Sequence, residues 1–261
     1  MSTLRPLAAV TGASAGLGAT FARKLSERGY DLLLIARRRD RLEQLAAELP
    51  VTCEIMEADL TCDDQLDRVA ARLREAPNLE LLVNNAGFGA MGRFFEAPLE
   101  GPDAMHRLHV MATMRLTHAA LPGMVARRKG GVINVSSVAA FWLLPGSASY
   151  CSTKHWINAF SECLYLELKQ DRSPVRMQAL CPGFTYTEFH DVAKVDRNMV
   201  PKSWWLTADY VVEESLKALA KNKLYVVPAL KYKILVWLAQ VLPRFCRHWL
   251  ALKIPRRRPK Q

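Results

Sequence analysis

Tyr150 and Lys154 lie four residues apart, and this pair of side chains has the chemistry for proton transfer. Residues at this spacing share one face of a helix, where the ammonium group lowers the cost of forming a phenolate. A tyrosine tuned in this way can pass a proton to a carbonyl oxygen. A Tyr-x-x-x-Lys pattern alone is short, however, and an ordinary exposed helix face is its usual explanation. Ser137, which follows the apolar run of residues 131–136, adds a second hydroxyl thirteen residues before the tyrosine.

A glycine-rich turn, Thr11–Gly18, follows the short apolar run Leu7–Val10 and precedes a helical pattern. In this setting Gly12, Gly16 and Gly18 let the backbone approach a pyrophosphate, whose charge is favoured at the helix N-terminus. The alternative is a sharp loop with no ligand. The position between a strand and a helix favours a dinucleotide site.

The residues after the second predicted strand, Asp31–Ala36, indicate which dinucleotide is bound. An NAD site commonly has Asp or Glu there to hold the ribose 2′-hydroxyl, whereas this chain has Arg37, Arg38 and Arg39. Guanidinium groups bind phosphate through charge-assisted, often bidentate, contacts. The alternative is a solvated basic start of a helix. We therefore expect NADP(H) in preference to NAD(H), with Arg37 as the first candidate ligand of the 2′-phosphate and Arg38 as the second.

Apolar segments typical of strands alternate with amphipathic helical patterns along most of the chain. The predicted strands cover residues 7–10, 31–36, 51–58, 81–83, 132–135 and 175–180, and the predicted helices cover residues 17–28, 39–49, 63–75, 103–129 and 147–170. Fully apolar strands separated by helices imply a parallel sheet with both faces covered. The sequence predicts a single-domain α/β fold of the doubly wound Rossmann type with right-handed connections. We expect a catalytic domain over residues 1–228 and a basic, apolar, helical C-terminal extension over residues 229–261.

The chain has 261 residues and a net charge of +11, which is concentrated near the C-terminus. Twelve Lys and Arg and no acidic residue follow residue 214, so residues 1–214 have 24 basic and 25 acidic side chains and a net charge of −1. The segment Lys231–Lys253 mixes apolar and basic residues and is divided by Pro243. It resembles an interfacial anchor on anionic lipid, and the alternative is a helix packed on its own body or on a second subunit. No recognition motif accompanies the charge, so we do not expect nucleic-acid binding.

Half of the residues are hydrophobic and 23% are charged, as in an ordinary globular protein. The six cysteines have neither the spacing of metal ligands nor the density of a secreted disulfide scaffold. We therefore expect reduced thiols, no metal site and a cytoplasmic protein. The N-terminus enters the first predicted strand at once, which leaves no room for a signal peptide. No apolar stretch approaches ~20 residues, so the sequence predicts no conventional transmembrane helix, and any membrane contact of the C-terminal segment is peripheral.

Taken together, the motifs from Thr11 to about Phe189 resemble those of the short-chain dehydrogenase/reductase family. The family's catalytic serine, tyrosine and lysine match Ser137, Tyr150 and Lys154 in order and spacing. The resemblance implies that Ser137 hydrogen-bonds the substrate oxygen, that Tyr150 gives or takes the proton, and that Lys154 holds the nicotinamide ribose and lowers the pKa of the tyrosine. The chain is most similar to bacterial-type reductases of this family, and the resemblance also implies a homodimer or homotetramer.

The same resemblance implies a set of cofactor-binding residues in six groups. They are Gly12, Ser14, Ala15, Gly16, Leu17 and Gly18 of the glycine turn; Arg37 and Arg38; Asp59 and Leu60; Asn85, Ala86 and Gly87; Tyr150 and Lys154; and Pro182, Gly183, Thr185 and Thr187. Asp59 and Leu60 correspond to the adenine-side contact, and residues 182–187 correspond to the loop at the nicotinamide end.

His109 stands where the family usually has an asparagine, in the helix after the Asn84–Gly87 motif. In the family that asparagine is thought to hold a water in a proton relay behind the lysine. An imidazole can form the same hydrogen bond and can titrate near neutral pH. The alternative is a histidine held between helix and sheet with no role in the relay. His109 is therefore a candidate catalytic residue whose part in the relay is left open.

Residues 184–206 fall where the family places its substrate lid, and with residues 141–144 they contribute many apolar side chains. These are Phe141, Trp142, Leu143, Leu144, Phe184, Tyr186, Phe189, Met199, Trp204 and Trp205. An apolar pocket suits a hydrophobic ketone better than a sugar, although aromatic residues in a loop are often only packing. We expect an NADP(H)-dependent oxidoreductase that moves a hydride between the nicotinamide and a carbonyl or secondary alcohol. The alternative is a non-catalytic dinucleotide-binding sensor or a membrane-associated scaffold with the same fold.

Overall fold

The computed structural model describes residues 4–90, 92–189 and 200–253. In these residues the strands are β1 (Leu7–Thr11), β2 (Asp31–Ala36), β3 (Cys53–Glu57), β4 (Leu79–Asn84), β5 (Gly131–Val135), β6 (Arg176–Leu180) and β7 (Tyr225–Val226). They form one parallel sheet in the order β3-β2-β1-β4-β5-β6-β7. The predicted α/β fold with a parallel sheet is confirmed.

Helices cover both faces of this sheet. They are α1 (Gly16–Glu27), α2 (Arg39–Ala47), α3 (Asp63–Arg74), α4 (Glu100–His106), α5 (Thr113–Ala126), α6 (Ala148–Gln170), α7 (Ala208–Ala220), α8 (Leu230–Val241) and α9 (Arg244–Lys253). Side chains of α1, α2 and α7 form one hydrophobic core with the sheet, and side chains of α3, α5 and α6 form a second. Because side chains alternate along a strand, β1 contributes Ala8 and Val10 to the first core and Leu7 and Ala9 to the second.

The central strands β1 and β4 create a crevice at their carboxyl ends. Val10 of β1 pairs with Leu34 of β2 on one side and with Val83 of β4 on the other. The chain therefore crosses in opposite directions after β1 and after β4, and the loops at their carboxyl ends diverge. Ligands of open α/β sheets bind in a crevice of this kind.

Residues 103–129, predicted to be one long helix, are not a single continuous α-helix in the structure. It is α4 and α5 joined by a π-helical segment, Arg107–Ala112, which contains His109. Short π-helical segments of this kind occur frequently at functional sites. The strand β7 was not predicted either, because two residues are too few to show a periodicity.

Tyr232 fixes α8 to the loop that follows β6. The side chain is only 1% exposed, and a Cβ added at Gly183 would lie 2.0 Å from its ring. Its hydroxyl accepts a hydrogen bond from the backbone N–H of Phe184 at 2.9 Å and donates one to the carbonyl of Trp204 at 2.6 Å. The first C-terminal helix is therefore packed against the edge of the crevice.

Candidate active site

The glycine turn between β1 and α1 is compact because its three glycines occupy positions that a side chain would disrupt. Gly12 and Gly16 have φ angles of +66° and +55°, in the left-handed region that favours glycine. A Cβ at Gly18 would lie 2.2 Å from the carbonyl oxygen of Gly12. The close packing brings the backbone of the turn to the floor of the crevice.

The first turn of α1 is suited to an anion. Ala15 precedes the helix and offers no side-chain hydrogen bond to its N–H groups, and the turn contains no acidic residue. The N–H groups and the helix dipole therefore favour a negatively charged ligand. Leu17 packs against the first hydrophobic core and fixes the helix to the sheet. A pyrophosphate fits these donors.

Thr11 joins the glycine turn to the segment after β4. Its hydroxyl oxygen accepts hydrogen bonds from the backbone N–H groups of Asn85 and Ala86 at 2.9 and 3.0 Å. The side-chain amide of Asn85 donates to the carbonyl of Thr11 at 2.8 Å. A Cβ at Gly87 would lie 2.8 Å from Nε2 of His109. The segment Asn85–Gly87 therefore lies between the glycine turn and the imidazole of His109.

Arg38 reaches the glycine turn, whereas Arg37 does not. The guanidinium group of Arg38 donates to Oγ of Ser14 at 3.1 Å. The Arg37 side chain is 75% exposed and lies 3.7 Å from the carboxylate of Asp59. Burial would raise the pKa of Asp59, but hydrogen bonds from Thr61 and the charge of Arg37 lower it below its ordinary value. The structure thus brings the second of the two predicted arginines, and not the first, to the turn. Leu60, beside Asp59, is buried.

Ser137, Tyr150 and Lys154 meet beyond the carboxyl end of β5. Nζ of Lys154 lies 5.8 Å from the centre of the Tyr150 ring on the same face of α6. The ammonium group is buried and donates to the carbonyl of Val135 at 2.8 Å. Oγ of Ser137 accepts from the N–H of Ala139 at 3.1 Å, which leaves the hydroxyl proton for another acceptor. The three side chains singled out by their order in the sequence therefore lie together.

Burial dominates the electrostatics of these side chains. It raises the pKa of Tyr150 to about 12, and a hydrogen bond with Ser137 opposes this shift. It lowers the pKa of Lys154 from 10.5 to about 8. The resemblance implies that Lys154 lowers the pKa of Tyr150, but Lys154 does not contribute to this shift, which burial and Ser137 mainly determine. Burial also raises the pKa of the nearby Cys181 to about 12, so this thiol is protonated and unreactive.

His109 is buried in the π-helical segment, with its ring centre 6.1 Å from that of Tyr150. Its Nε2 accepts from the backbone N–H of Phe88 at 3.2 Å, so Nδ1 carries the proton and donates to Oγ1 of Thr153 at 3.0 Å. Burial lowers the pKa of His109 well below 6.5, and the charge of Lys154 acts in the same direction. The imidazole is therefore neutral and uses both nitrogens to join the segment after β4 to α6.

The loop after β6 borders the crevice on the side of Ser137, Tyr150 and Lys154. The carbonyl of Pro182 accepts a hydrogen bond from the N–H of Val138 at 3.1 Å, and Thr185 is buried. A Cβ added at Gly16 would lie 3.1 Å from the side chain of Thr187. The loop therefore passes from the segment after Ser137 to the glycine turn.

Most of the aromatic residues predicted to line a substrate pocket pack on one another or on other parts of the protein. Phe184, Tyr186 and Trp205 pack on one another, Trp204 packs on Tyr232, Phe141 contacts Tyr225, and Trp142 donates to the carbonyl of Leu235. Leu143 is exposed, Leu144 is half-buried, and Met199 lies outside the described residues. Phe189 lies beside Tyr150, with ring centres 5.9 Å apart.

Two residues of this region were not singled out from the sequence. Glu188 forms ion pairs with Arg38 and Arg41 at 3.0 and 2.5 Å, and Tyr232 packs on Gly183. Glu188 lies 150 and 147 residues from Arg38 and Arg41, and Tyr232 lies 48 residues from Phe184, whose N–H it also binds. No local pattern connects positions at such separations, so only the fold reveals them.

Further features bear on metals, thiols and membranes. Within residues 4–90, 92–189 and 200–253, no group of three or more His, Cys, Asp or Glu could hold a metal ion. The six cysteines are free thiols. Among the described helices, none combines the length and the apolar character needed to cross a membrane.

Comparisons of sequence and of structure with known proteins indicate the same protein family. The sequence profile described as short chain dehydrogenase matches residues 6–198. The very-long-chain 3-oxoacyl-CoA reductase of Bos taurus is 32% identical over 203 residues, which cover 73% of this chain and 62% of that protein. A short-chain dehydrogenase from Sphingobium yanoikuyae, solved in complex with NADPH, is 32% identical, with 98% of each chain covered and a TM-score of 0.81. The bulky-bulky ketone specific alcohol dehydrogenase from Comamonas testosteroni is 29% identical, with 98% of this chain and 97% of that chain covered and a TM-score of 0.78.

Proposed function

Because this chain belongs to the short-chain dehydrogenase/reductase family, we propose that it is an NADP(H)-dependent oxidoreductase. The reaction moves a hydride between the nicotinamide and the carbon of a carbonyl or secondary alcohol group. The observation that supports it most is the convergence of Ser137, Tyr150 and Lys154 beside the crevice. A protein that only binds a dinucleotide gains nothing from a lysine buried next to a half-buried phenol, since burying that charge is costly.

NADPH, when bound, supplies the hydride, and the protein supplies the proton and orients the substrate. As negative charge develops on the substrate oxygen, the hydroxyl of Ser137 donates a hydrogen bond and the phenol of Tyr150 gives up its proton. The raised pKa keeps the phenol protonated at neutral pH, which suits reduction. The ammonium group of Lys154, held by the carbonyl of Val135, stabilises the phenolate that remains.

The preference for NADP(H) is supported by the start of α1 and by Arg38. The first turn of α1 would hold the pyrophosphate, and Arg38 with Ser14 would hold the 2′-phosphate. Arg37 and Asp59 would lie on the adenine side. Residues 85–87 and 182–187 would border the nicotinamide half. The relative from Sphingobium yanoikuyae, which was solved with NADPH, is in agreement with this assignment.

A hydrophobic carbonyl or alcohol is the substrate class that fits the site best. The ring of Phe189 lies 5.9 Å from that of Tyr150, and the ring of Phe88 lies 6.0 Å from that of His109. These apolar groups border the point at which a carbonyl must meet the phenol. The relatives from Bos taurus and Comamonas testosteroni are named for a very-long-chain 3-oxoacyl-CoA and for bulky ketones, which supports an apolar substrate.

His109 is proposed to be a positioning residue and not a member of a proton relay. Both of its ring nitrogens are engaged, by Phe88 and by Thr153, and its lowered pKa keeps it neutral near pH 7. Thr153 donates in turn to the carbonyl of Tyr150 at 3.0 Å. The imidazole therefore sets the distance between the segment after β4 and the catalytic turn of α6.

Residues 229–261 are proposed to be an extension of the catalytic domain, residues 1–228, that contacts anionic membrane. The exposed apolar side chains of α8 and α9 include Leu230, Ile234, Trp237, Val241, Phe245, Trp249 and Leu252. No acidic residue occurs in this segment, so the surface combines apolar groups with positive charge, as binding to anionic lipid requires. The alternative occupant of the same surface is a second copy of the chain in a homodimer or homotetramer.

The substitution Tyr150→Phe tests the proposed function. It keeps the ring and removes the proton donor, so we expect kcat to fall by about 10²–10⁴-fold. The Kd for NADPH should change by less than about twofold, because the ring still packs in the site. Steady-state oxidation of NADPH with a panel of apolar ketones measures the first quantity, and fluorescence titration measures the second. Undiminished turnover would refute the mechanism, and wild-type protein that binds NADPH tightly but reduces no ketone would indicate the sensor.

A further inference from the structure

Glu188 links the loop after β6 to two arginines beside the glycine turn. Its carboxylate accepts hydrogen bonds from Arg38 at 3.0 Å and from Arg41 at 2.5 Å. Arg38 also donates to Oγ of Ser14 in the glycine turn at 3.1 Å. The loop, the turn and the start of α2 therefore meet at one carboxylate.

The neighbours of Glu188 in the chain lie against other parts of the same crevice. Thr187 lies beside Gly16, where an added Cβ would approach it to 3.1 Å. The ring of Phe189 lies 5.9 Å from that of Tyr150. Residues 187–189 thus extend from the glycine turn to the catalytic tyrosine, and Glu188, between the two, contacts the arginines.

The two arginines favour the ionised form of Glu188. A hydrogen bond from Arg41 has the largest effect in lowering the pKa of Glu188, and a hydrogen bond from Arg38 acts in the same direction. The side chain is therefore a carboxylate at neutral pH. The three side chains are 43–44% exposed. Solvent therefore weakens these ion pairs enough for the arginines to exchange one anion for another.

We propose that Glu188 is a specificity-determining residue whose carboxylate competes with the 2′-phosphate of NADP(H) for Arg38 and Arg41. The proposal rests on the proposed preference for NADP(H). A phosphate and a carboxylate at the same guanidinium groups repel each other, so the carboxylate leaves when the phosphate binds. That exchange lowers the affinity for NADP(H) but not for NAD(H), which has no 2′-phosphate. Glu188 therefore narrows the difference in affinity between the two cofactors.

The test uses two probes that differ only in the 2′-phosphate, adenosine 2′,5′-bisphosphate and adenosine 5′-monophosphate. Isothermal titration calorimetry on the full chain gives the Kd of each at low ionic strength, where exposed charges are least screened. Glu188→Gln removes the charge and keeps the shape of the side chain. We expect it to tighten binding of the bisphosphate by about three- to fivefold and to change binding of the monophosphate by less than about twofold.

Glu43→Gln is the matched control. Glu43 lies on α2 and pairs with Arg39 at 2.7 Å, so this change removes the same charge near the site without releasing Arg38 or Arg41. We expect it to leave the ratio of the two Kd values unchanged. Glu188→Ala is a second variant that removes the carboxylate. Like Glu188→Gln, it should raise the ratio of the Kd of the monophosphate to the Kd of the bisphosphate.

Three outcomes would overturn the proposal. If wild-type protein prefers the bisphosphate and both Glu188 variants keep the same ratio, the role of Glu188 is refuted while the cofactor preference stands. An equal gain in Glu43→Gln would show an effect of net charge alone and would also refute it. If neither the wild type nor the Glu188 variants distinguish the two probes, the proposed NADP(H) preference fails and the role of Glu188 fails with it.

Discussion

At the scale of single residues, the burial of the charged Lys154 lowers the stability of the fold. Burial lowers the pKa of this lysine from 10.5 to about 8. At ~1.4 kcal/mol per pKa unit, such a shift corresponds to a cost on the order of 3 kcal/mol for keeping the charge inside the protein. The hydrogen bond to the carbonyl of Val135 offsets part of that cost.

Lys154→Met tests this cost. Below about pH 8 the lysine is charged in both the folded and the unfolded chain, so the full cost applies. Between about pH 8 and 10.5 the unfolded chain binds more protons, so the free energy of unfolding of the wild type rises with pH. We expect Lys154→Met to raise this free energy at pH 7 by ~1–3 kcal/mol, to remove the rise contributed by this residue, and to abolish turnover.

Urea unfolding at neutral pH and again within that alkaline window measures both effects. Lys221→Met, at an exposed lysine, is the control and should change the free energy of unfolding by less than about 0.5 kcal/mol. The idea fails if Lys154→Met is no more stable than the wild type at neutral pH.

The sequence identifies the side chains proposed to be catalytic, but it does not predict their protonation. Ser137, Tyr150 and Lys154 were found because their order and spacing are local properties of the chain. The raised pKa of Tyr150 and the neutral state of His109 depend on burial by segments that are distant in the sequence. The relative placement of Arg37 and Arg38 depends on side-chain directions that a run of three arginines does not specify.

At the scale of secondary structure elements, the contact between Tyr232 and Gly183 holds α8 on the loop after β6. We expect Gly183→Ala to lower the free energy of unfolding by ~1–3 kcal/mol, because its methyl group would lie about 2.0 Å from the tyrosine ring. Replacing Tyr232 with Leu in the same chain should recover part of the loss caused by Gly183→Ala, since the two changes share one contact. Urea unfolding of the four chains of this double-mutant cycle gives the coupling.

Gly101→Ala provides the control for that cycle. Gly101 lies in α4 with open space around it, so alanine there should be neutral or slightly stabilising. Strictly additive effects of the changes at positions 183 and 232 would show that the ring and the glycine do not constrain each other.

The long elements could be predicted from the sequence because each shows a clear period. The strands β1, β2 and β5 are largely buried apolar runs, and α1 and α3 have their buried residues on one face. The π-helical segment Arg107–Ala112 could not be predicted, because a change in hydrogen-bond pattern inside a continuous helix leaves no mark on composition. This segment nevertheless contains His109.

At the scale of the whole molecule, charge and apolar surface coincide at the C-terminal end. The uneven distribution of charge was visible in the sequence, but the outward direction of the Trp237 and Trp249 side chains was not. The buried residues of α8, Tyr232, Val236 and Ala239, follow helical spacing, but apolar side chains also occupy its exposed positions, so hydrophobic periodicity does not separate the two faces. The charge of the C-terminal surface can therefore be predicted from the sequence, whereas its exposed apolar side chains are identified only in the structure.

The double substitution Trp237→Ser and Trp249→Ser tests the proposed membrane contact in the full chain. Both side chains are more than half exposed, so the fold should tolerate the change, and sedimentation with anionic liposomes should fall severalfold. Phe95→Ser, at an exposed aromatic residue far from this segment in the chain, is the control and should sediment as the wild type does. Equal sedimentation of all three proteins would rule out the anchor, and loss of a dimer in analytical ultracentrifugation would assign the surface to a second copy.

The contact between Gly183 and Tyr232 also constrains how these two positions can change in evolution. Alanine at position 183 is disfavoured while an aromatic ring stands at position 232, whereas glycine at position 183 allows a ring or a smaller side chain at position 232. Replacement of the tyrosine by a smaller residue should therefore precede the gain of a side chain at position 183. The order of the two substitutions is therefore constrained, and homologous sequences should show positions 183 and 232 changing together.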